Sequence, residues 1–162
     1  MDLICDTDIL SSLAKIKYLD LLNQLFPKSK KLIPTGVYEE LERSKEIGYD
    51  FPDRIFSFTK TISMDDDELE EYKIYLTEKR KLDKGELQCL VISKYRGFTL
   101  ITNDTLARKE AKERDIKTYN LAEIIRAAYL DEKLSKNEVK QMIKELKEKD
   151  YFSFSDETEL YK

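Results

Sequence analysis

Histidine is absent from the 162 residues, and so is tryptophan. Without an imidazole the chain cannot run a Ser-His-Asp or Cys-His hydrolase. It also cannot build a histidine zinc site or cleave RNA by histidine acid–base chemistry. Glycine (4) and proline (3) are scarce, which leaves little room for long flexible linkers. Two cysteines make no disulfide framework; Cys5 and Cys89 lie in apolar runs and read as buried thiols. No stretch approaches the ~20 apolar residues of a membrane-spanning helix. Asp2 stands where a signal peptide carries positive charge. The expectation is a cytoplasmic protein with no membrane partner.

What is abundant is charge. Asp, Glu, Lys and Arg make up 38% of the chain, 29 basic against 33 acidic residues, for a net charge of −4. Hydrophobic residues still reach 41%, so a core is affordable and disorder is excluded. A chain of this length buries roughly 70% of its unfolded surface as one domain. Chemistry must therefore come from carboxylates, hydroxyls, Lys, Tyr or the thiols, and carboxylates working through a divalent metal are the clear survivor. The net charge is not that of a nucleic-acid binder. Basic residues nevertheless cluster at Lys28, Lys30 and Lys31, at Lys79, Arg80, Lys81 and Lys84, and at Arg108, Lys109 and Lys112. Taken as charge alone, these clusters read as solvated helix and loop surface.

Short apolar runs alternate with helical spacing. Leu3-Ile4-Cys5 is a strand ending in Asp6-Thr7-Asp8, followed by helical positions Leu10, Leu13, Ile16, then Leu19, Leu22, Leu25 and Phe26. Leu32-Ile33 is a second strand, and Pro34-Thr35 opens a helix with Thr35 as N-cap and Val37 and Leu41 on one face. Residues 48–52 read as a loop, with Phe56, Phe58 and Ile62 in extended structure at a sheet edge. Asp65 to Asp67 lead an amphipathic helix through Leu69, Tyr72 and Leu76. Asp83-Lys84-Gly85-Glu86 introduces a helix that Gly97 stops. Phe98 to Thr102 is a strand closed by Asn103-Asp104, then come a helix from Thr105 to Arg114 and a short strand from Ile116 to Tyr119. Asn120 with Glu123, and Ser135 with Glu138, are capping boxes for the last helices. Tyr151 to Phe154 is a small strand or a packing tail. The alternation predicts an α/β fold, with helices around a central, mostly parallel twisted sheet. No domain boundary is visible, so one domain over 1–162 is expected, with a core at 1–125 and 126–162 packed on it.

Ligands in such sheets bind at the carboxyl ends of the strands. Asp6 and Asp104 fall there, while Glu40 lies one turn after Val37 and Glu86 shares a helix face with Cys89, Leu90 and Ser93. Each acid has an ordinary alternative. Asp6, Asp8 and Asp104 can cap helices, and Asp83 with Glu86 has capping-box spacing. Taken singly, none decides between capping and chemistry. If the four converge, their repulsion at low dielectric requires cations.

These residues resemble the PIN-domain nucleases. The similarity lies in the run Leu3 to Leu10 with Asp6-Thr7, in Glu40-Leu41 after Val37, and in Glu86 followed by the strand that ends Thr102-Asn103-Asp104. It covers residues 1 to about 125, and the tail from Leu134 to Glu157 is similar to a poorly defined, mainly prokaryotic PIN subgroup. Two positions depart from the family pattern. Asp8 replaces a commoner Ser, Thr or Asn and adds a potential ligand, and Glu86 is a longer arm than the usual Asp. The resemblance implies a PIN-like three-layer α/β/α sandwich. It implies Mg²⁺- or Mn²⁺-dependent hydrolysis of RNA, with Asp6, Glu40, Glu86 and Asp104 as catalytic and metal-binding residues. It also implies a toxin restrained by a small antitoxin, and leaves room for a homodimer. Two other readings stand beside it. One is a PIN fold kept as a non-catalytic RNA-binding or scaffold module. The other is a haloacid dehalogenase-type phosphatase using Asp6-x-Asp8, against which Leu10 stands where Thr or Val is needed.

Overall fold

Five short strands make one parallel sheet. They are β1 (Leu3–Cys5), β2 (Lys31–Pro34), β3 (Lys60–Ile62), β4 (Thr99–Ile101) and β5 (Thr118–Tyr119), in the order β3-β2-β1-β4-β5. The computed structural model describes residues 1–78 and 81–162, so Lys79 and Arg80 of the second basic cluster lie outside the described residues. Every residue of β1, β2 and β4 is buried. That burial explains why the central strands are continuous apolar runs rather than alternating ones. Ile4 pairs with Leu32 on one side and Leu100 on the other, so the core runs through β1.

Helices flank the sheet as an α/β/α sandwich: α1 (Thr7–Lys15), α2 (Asp20–Leu25), α3 (Thr35–Glu46), α4 (Phe51–Phe58), α5 (Asp66–Glu78), α6 (Lys84–Arg96), α7 (Thr105–Glu113), α8 (Leu121–Leu130) and α9 (Lys136–Asp150). A 3-10 turn over Glu157–Tyr161 follows and packs on α8 and α9. Helix α6 is buried along most of its length and touches β1, β2 and β4. The capping boxes at Asp83/Glu86, Asn120/Glu123 and Ser135/Glu138 all form.

Several local expectations change. The first helical run breaks into α1 and α2 at Lys17, which takes a positive φ of 63° while Tyr18 N–H donates to Leu13 O. Pro34 rather than Thr35 occupies the N-cap of α3, because the extended β2 backbone runs up to the first helical residue. Phe56 and Phe58 belong to α4, whose buried Phe51 and Ile55 are one turn apart; Pro52 sits in its first turn, where its missing N–H costs nothing. Only Ile62 lies in the edge strand. In α5 the buried face is Glu68, Tyr72 and Tyr75, with Leu69 and Leu76 exposed. The reason is ionic: Arg96 of α6 donates to both carboxylate oxygens of Glu68 at 2.8 and 2.7 Å, and Glu68 is fully buried. Arg114 holds the Tyr75 hydroxyl at 2.6 Å. Residues 151–154 form no strand.

Helices α3 and α6 approach closely because both present glycine. A Cβ on Gly36 would lie 3.2 Å from Gly85 Cα and 2.9 Å from Gln88 Oε1, which accepts the Gly36 N–H at 2.7 Å. The end of α9 is tied to α1: Asp150 accepts from the Ser12 hydroxyl at 2.5 Å and from Lys15 at 2.8 Å.

Candidate active site

The chain leaves β1 in one direction towards β2 and β3, then returns to the other side of β1 to add β4 and β5. The crevice between the carboxyl ends of β1 and β4 is therefore the topological switch point, where open parallel sheets bind ligands. Asp6 follows β1, and Thr102-Asn103-Asp104 follow β4.

Asp6 is buried, with Oδ1 accepting the Thr7 N–H at 2.7 Å and Oδ2 accepting the Thr102 hydroxyl at 3.0 Å. The same Thr102 oxygen accepts the Asp104 N–H at 3.1 Å, so one hydroxyl ties both strand ends together. Thr7 donates its hydroxyl to Glu40 Oε2 at 2.5 Å, which fixes α3 against the start of α1. A Cβ on Gly85 would stand 2.8 Å from Glu40 Oε1; only glycine there lets the carboxylate rest against the head of α6. Glu86 Oε2 accepts the Asp83 N–H at 3.1 Å, and Asp104 Oδ1 accepts the Ala107 N–H at 2.7 Å.

Capping and clustering thus coexist. Glu40 Oε1, Glu86 Oε1 and Asp104 Oδ2 accept no hydrogen bond from the described residues, so each acid keeps one oxygen for a ligand. The electrostatics show the same crowding. Burial, then Asp8 and Asp83, push the Asp6 carboxyl up to about 7, against the pull of the Thr102 and Thr7 hydrogen bonds. Burial, then Asp6, with Asp83 and Asp104 adding, raise Glu86 to about 8. Glu40 is raised first by burial and then by Asp83 and Asp8, with its Thr7 hydrogen bond opposing. Asp8 is raised by burial and by Asp83, Asp150 and Asp104. Hard oxygen donors under mutual repulsion suit a hard divalent cation. As they stand, no three acids or thiols among the described residues are close enough to hold one ion. A cleft of about 640 Å³ opens beside them, walled by Asp8, Asp104, Lys15, Asp150, Tyr49 and Phe152 among others; Asp6, Glu40 and Glu86 do not line it.

Of the four acids expected from the sequence, Asp6, Asp104 and Glu40 are joined through Thr102 and Thr7, whereas Glu86 bonds the Asp83 backbone and meets the others only through their fields; Asp104 alone of the four lines the cleft. The sequence reading missed Asp83, treated only as a cap, and Asp150, whose 138-residue separation from Ser12 gives no local signal. It also missed the roles of Thr7 and Thr102, although the Asp-Thr and Thr-x-Asp pairs carried the hint. Both thiols are buried. Cys5 is pushed up to about 12 by burial and by Asp6, and Cys89 is raised for the same reasons.

The fold and site define a class: a parallel α/β protein with an acidic centre at the switch point of its sheet. The sequence profile of the PIN-domain family DUF3368 matches residues 2–160, and the chain belongs to that family. No curated protein sequence matches it. Among solved structures it is similar to VapBC2 from Rickettsia felis, bound to a DNA fragment from its promoter, at 16% identity and a TM-score of 0.60 over 74% of this chain and 98% of that one. It is similar to VapBC-1 from nontypeable Haemophilus influenzae at 13% identity and a TM-score of 0.58, covering 74% and 98%. PAE2754 from Pyrobaculum aerophilum gives 18% identity and a TM-score of 0.56, covering 79% and 97%. At these identities the likeness concerns the fold. No helix among the described residues is long and apolar enough to cross a membrane.

Proposed function

We propose that the chain is a divalent-metal-dependent ribonuclease whose centre is Asp6, Glu40, Glu86 and Asp104, with Mg²⁺ or Mn²⁺ as cofactor. The observation that carries this is the cluster of raised carboxyls at the switch point, a charge arrangement that folding alone does not reward. A divalent cation bound there supplies Lewis-acid activation of water and neutralises charge at the scissile phosphate. Asp6 and Asp104 are the central ligands in this reading. Glu40 and Glu86 orient bound water, and Thr7 and Thr102 position the carboxylates of Glu40 and Asp6. The scheme needs no histidine.

Partners follow from the same reading. The folds it resembles include VapBC proteins from two bacteria, which favours a toxin with a small antitoxin seated over the cleft. A second copy of the chain as a homodimer is compatible with this, and the reading places the protein in the cytoplasm.

One observation favours a second reading. Because no three acids among the described residues stand at chelating distance, a non-catalytic RNA-binding module is the alternative. The test uses substitutions that spare the caps. Asp104→Asn and Glu86→Gln keep helix capping, since Asn and Gln serve those positions. Both are expected to fold and to lose Mn²⁺-dependent cleavage of single-stranded RNA by orders of magnitude. Glu39→Gln, on the exposed face of α3, is the control and cleaves normally. An Asp104→Asn protein that cuts as fast as the parent refutes the nuclease assignment. Hydrolysis of p-nitrophenyl phosphate without RNA cleavage selects the phosphatase instead.

A further inference from the structure

A second groove, of about 570 Å³, runs along α7 to the turn before β5, walled by Thr105, Arg108, Lys109, Lys112, Asp115 and Lys117 among others. Thr105, the residue after Asp104, lines both this groove and the acidic cleft, so the two depressions meet at the head of α7. Lys109, Lys112 and Lys117 are exposed, and none forms a salt bridge with an acid among the described residues. Lys117 leans over the Tyr119 ring at 5.1 Å. Arg108 is engaged, donating to Glu123 at 2.5 Å. The groove is thus strongly cationic, with Asp115 its one acidic lining residue, on a chain whose net charge is −4.

We infer that this groove binds the phosphate backbone of single-stranded RNA on one side of the bond that is cut, with Lys109, Lys112 and Lys117 as the phosphate contacts. The inference rests on the ribonuclease reading for what happens at the acids, but capture of the backbone does not need cleavage. The physical requirement is direct. A cluster of carboxylates repels a polyanion, so a strand reaches it only if cations hold neighbouring phosphates. Lysines on flexible stems serve as point charges without reading bases, so the groove fixes the strand's position rather than its sequence. Thr105 joins the two depressions, so a strand held along α7 runs from Lys117 and Lys112 at the far end, past Lys109, to the head of the helix beside Asp104, which sets the direction in which the strand leaves the centre.

The test is the salt dependence of binding. A fluorescein-labelled 12-nucleotide RNA is titrated by anisotropy in EDTA at 50–200 mM KCl, against the parent and the triple variant Lys109→Ser, Lys112→Ser, Lys117→Ser. Each lost phosphate contact lowers the slope of log K against log salt by about 0.7 for a single strand, so the triple variant loses about 2. Lys28→Ser with Lys30→Ser, an exposed basic pair outside the groove, is the control and keeps the parent slope. In cleavage with Mn²⁺ the triple variant raises KM for the 12-mer at least ten-fold and leaves kcat unchanged. An unchanged slope in the triple variant, or an equal loss in the control, overturns the groove. If the parent cleaves RNA and KM does not move in the triple variant, the groove falls while the ribonuclease reading stands. A parent that never cleaves, with the slope still lost, leaves the groove standing and removes the ribonuclease reading.

Discussion

Lowering the pH of the metal-free protein should stabilise it, over a range where most proteins show histidine effects and this one cannot. Asp6 sits at about 7 in the folded chain against 3.8 as its reference, and Glu86 at about 8 against 4.5. Both folded values are raised, so the native state binds more protons than the unfolded chain between the two limits. Stability from these groups is full below the unfolded values and is lost as pH rises through the folded ones. One pKa unit corresponds to about 1.36 kcal/mol, so carrying Asp6 from pH 8 to 5.5 returns about 2 kcal/mol. Glu86 is raised in part by Asp6 itself, so it strengthens the same trend as a member of the pair. No histidine contributes and both thiols are raised, while Glu40 and Asp8, raised for the same reasons, act in the same direction. Urea unfolding followed by circular dichroism in EDTA at pH 5.5 and 8 measures the difference. Glu86→Gln removes one charge while keeping the Asp83 capping bond, and is expected to flatten the profile and gain stability at pH 8. Mn²⁺ is expected to restore the parent at pH 8, by about 2.7 kcal/mol at a hundred times its dissociation constant. A flat profile in EDTA, or stability that climbs with pH, would show that these carboxylates do not crowd one another.

Two further substitutions separate geometry from stability. Gly85→Ala places a Cβ 2.8 Å from Glu40 Oε1 and 3.1 Å from Val37 Cγ2, so the Glu40 carboxylate must swing away. Mn²⁺-dependent cleavage should fall at least ten-fold, while overpacking costs about 1–3 kcal/mol. Full activity in that variant means that Glu40 is not needed where it stands. Arg96→Met strands the fully buried Glu68 without its partner and should cost about 3 kcal/mol. The double variant with Glu68→Leu should recover most of that in a denaturant titration, and a single variant within 0.5 kcal/mol of the parent, roughly the scatter of a neutral surface change, contradicts the ionic account of the α5–α6 contact.

The sequence by itself determined the strand ends, the capping boxes and the acids attached to them. These features are local: an apolar run that stops at Asp6 or Thr102, or a cap followed three residues later by Glu, is written within one turn of chain. Through the absence of histidine it also narrowed the groups available for chemistry to carboxylates, hydroxyls, Lys, Tyr and the thiols. Helix α4 is legible in principle, with Phe51 and Ile55 one turn apart, but Gly48 and Pro52 carry the signature of a loop, whereas Pro52 occupies a helix start. The buried face of α5 was not legible, because the Glu68–Arg96 pair, 28 residues apart, outweighs the hydropathy of Leu69 and Leu76. Only the tertiary structure decided the strand order that makes a crevice between β1 and β4. Only it showed that Asp83 and Asp150 share the field of Asp8, and that two glycines bring α3 against α6 so that Glu40 meets the head of the helix bearing Glu86. The physical reason is range: capping acts over a few residues of chain, whereas carboxylate repulsion acts through space, between groups that packing alone brings together.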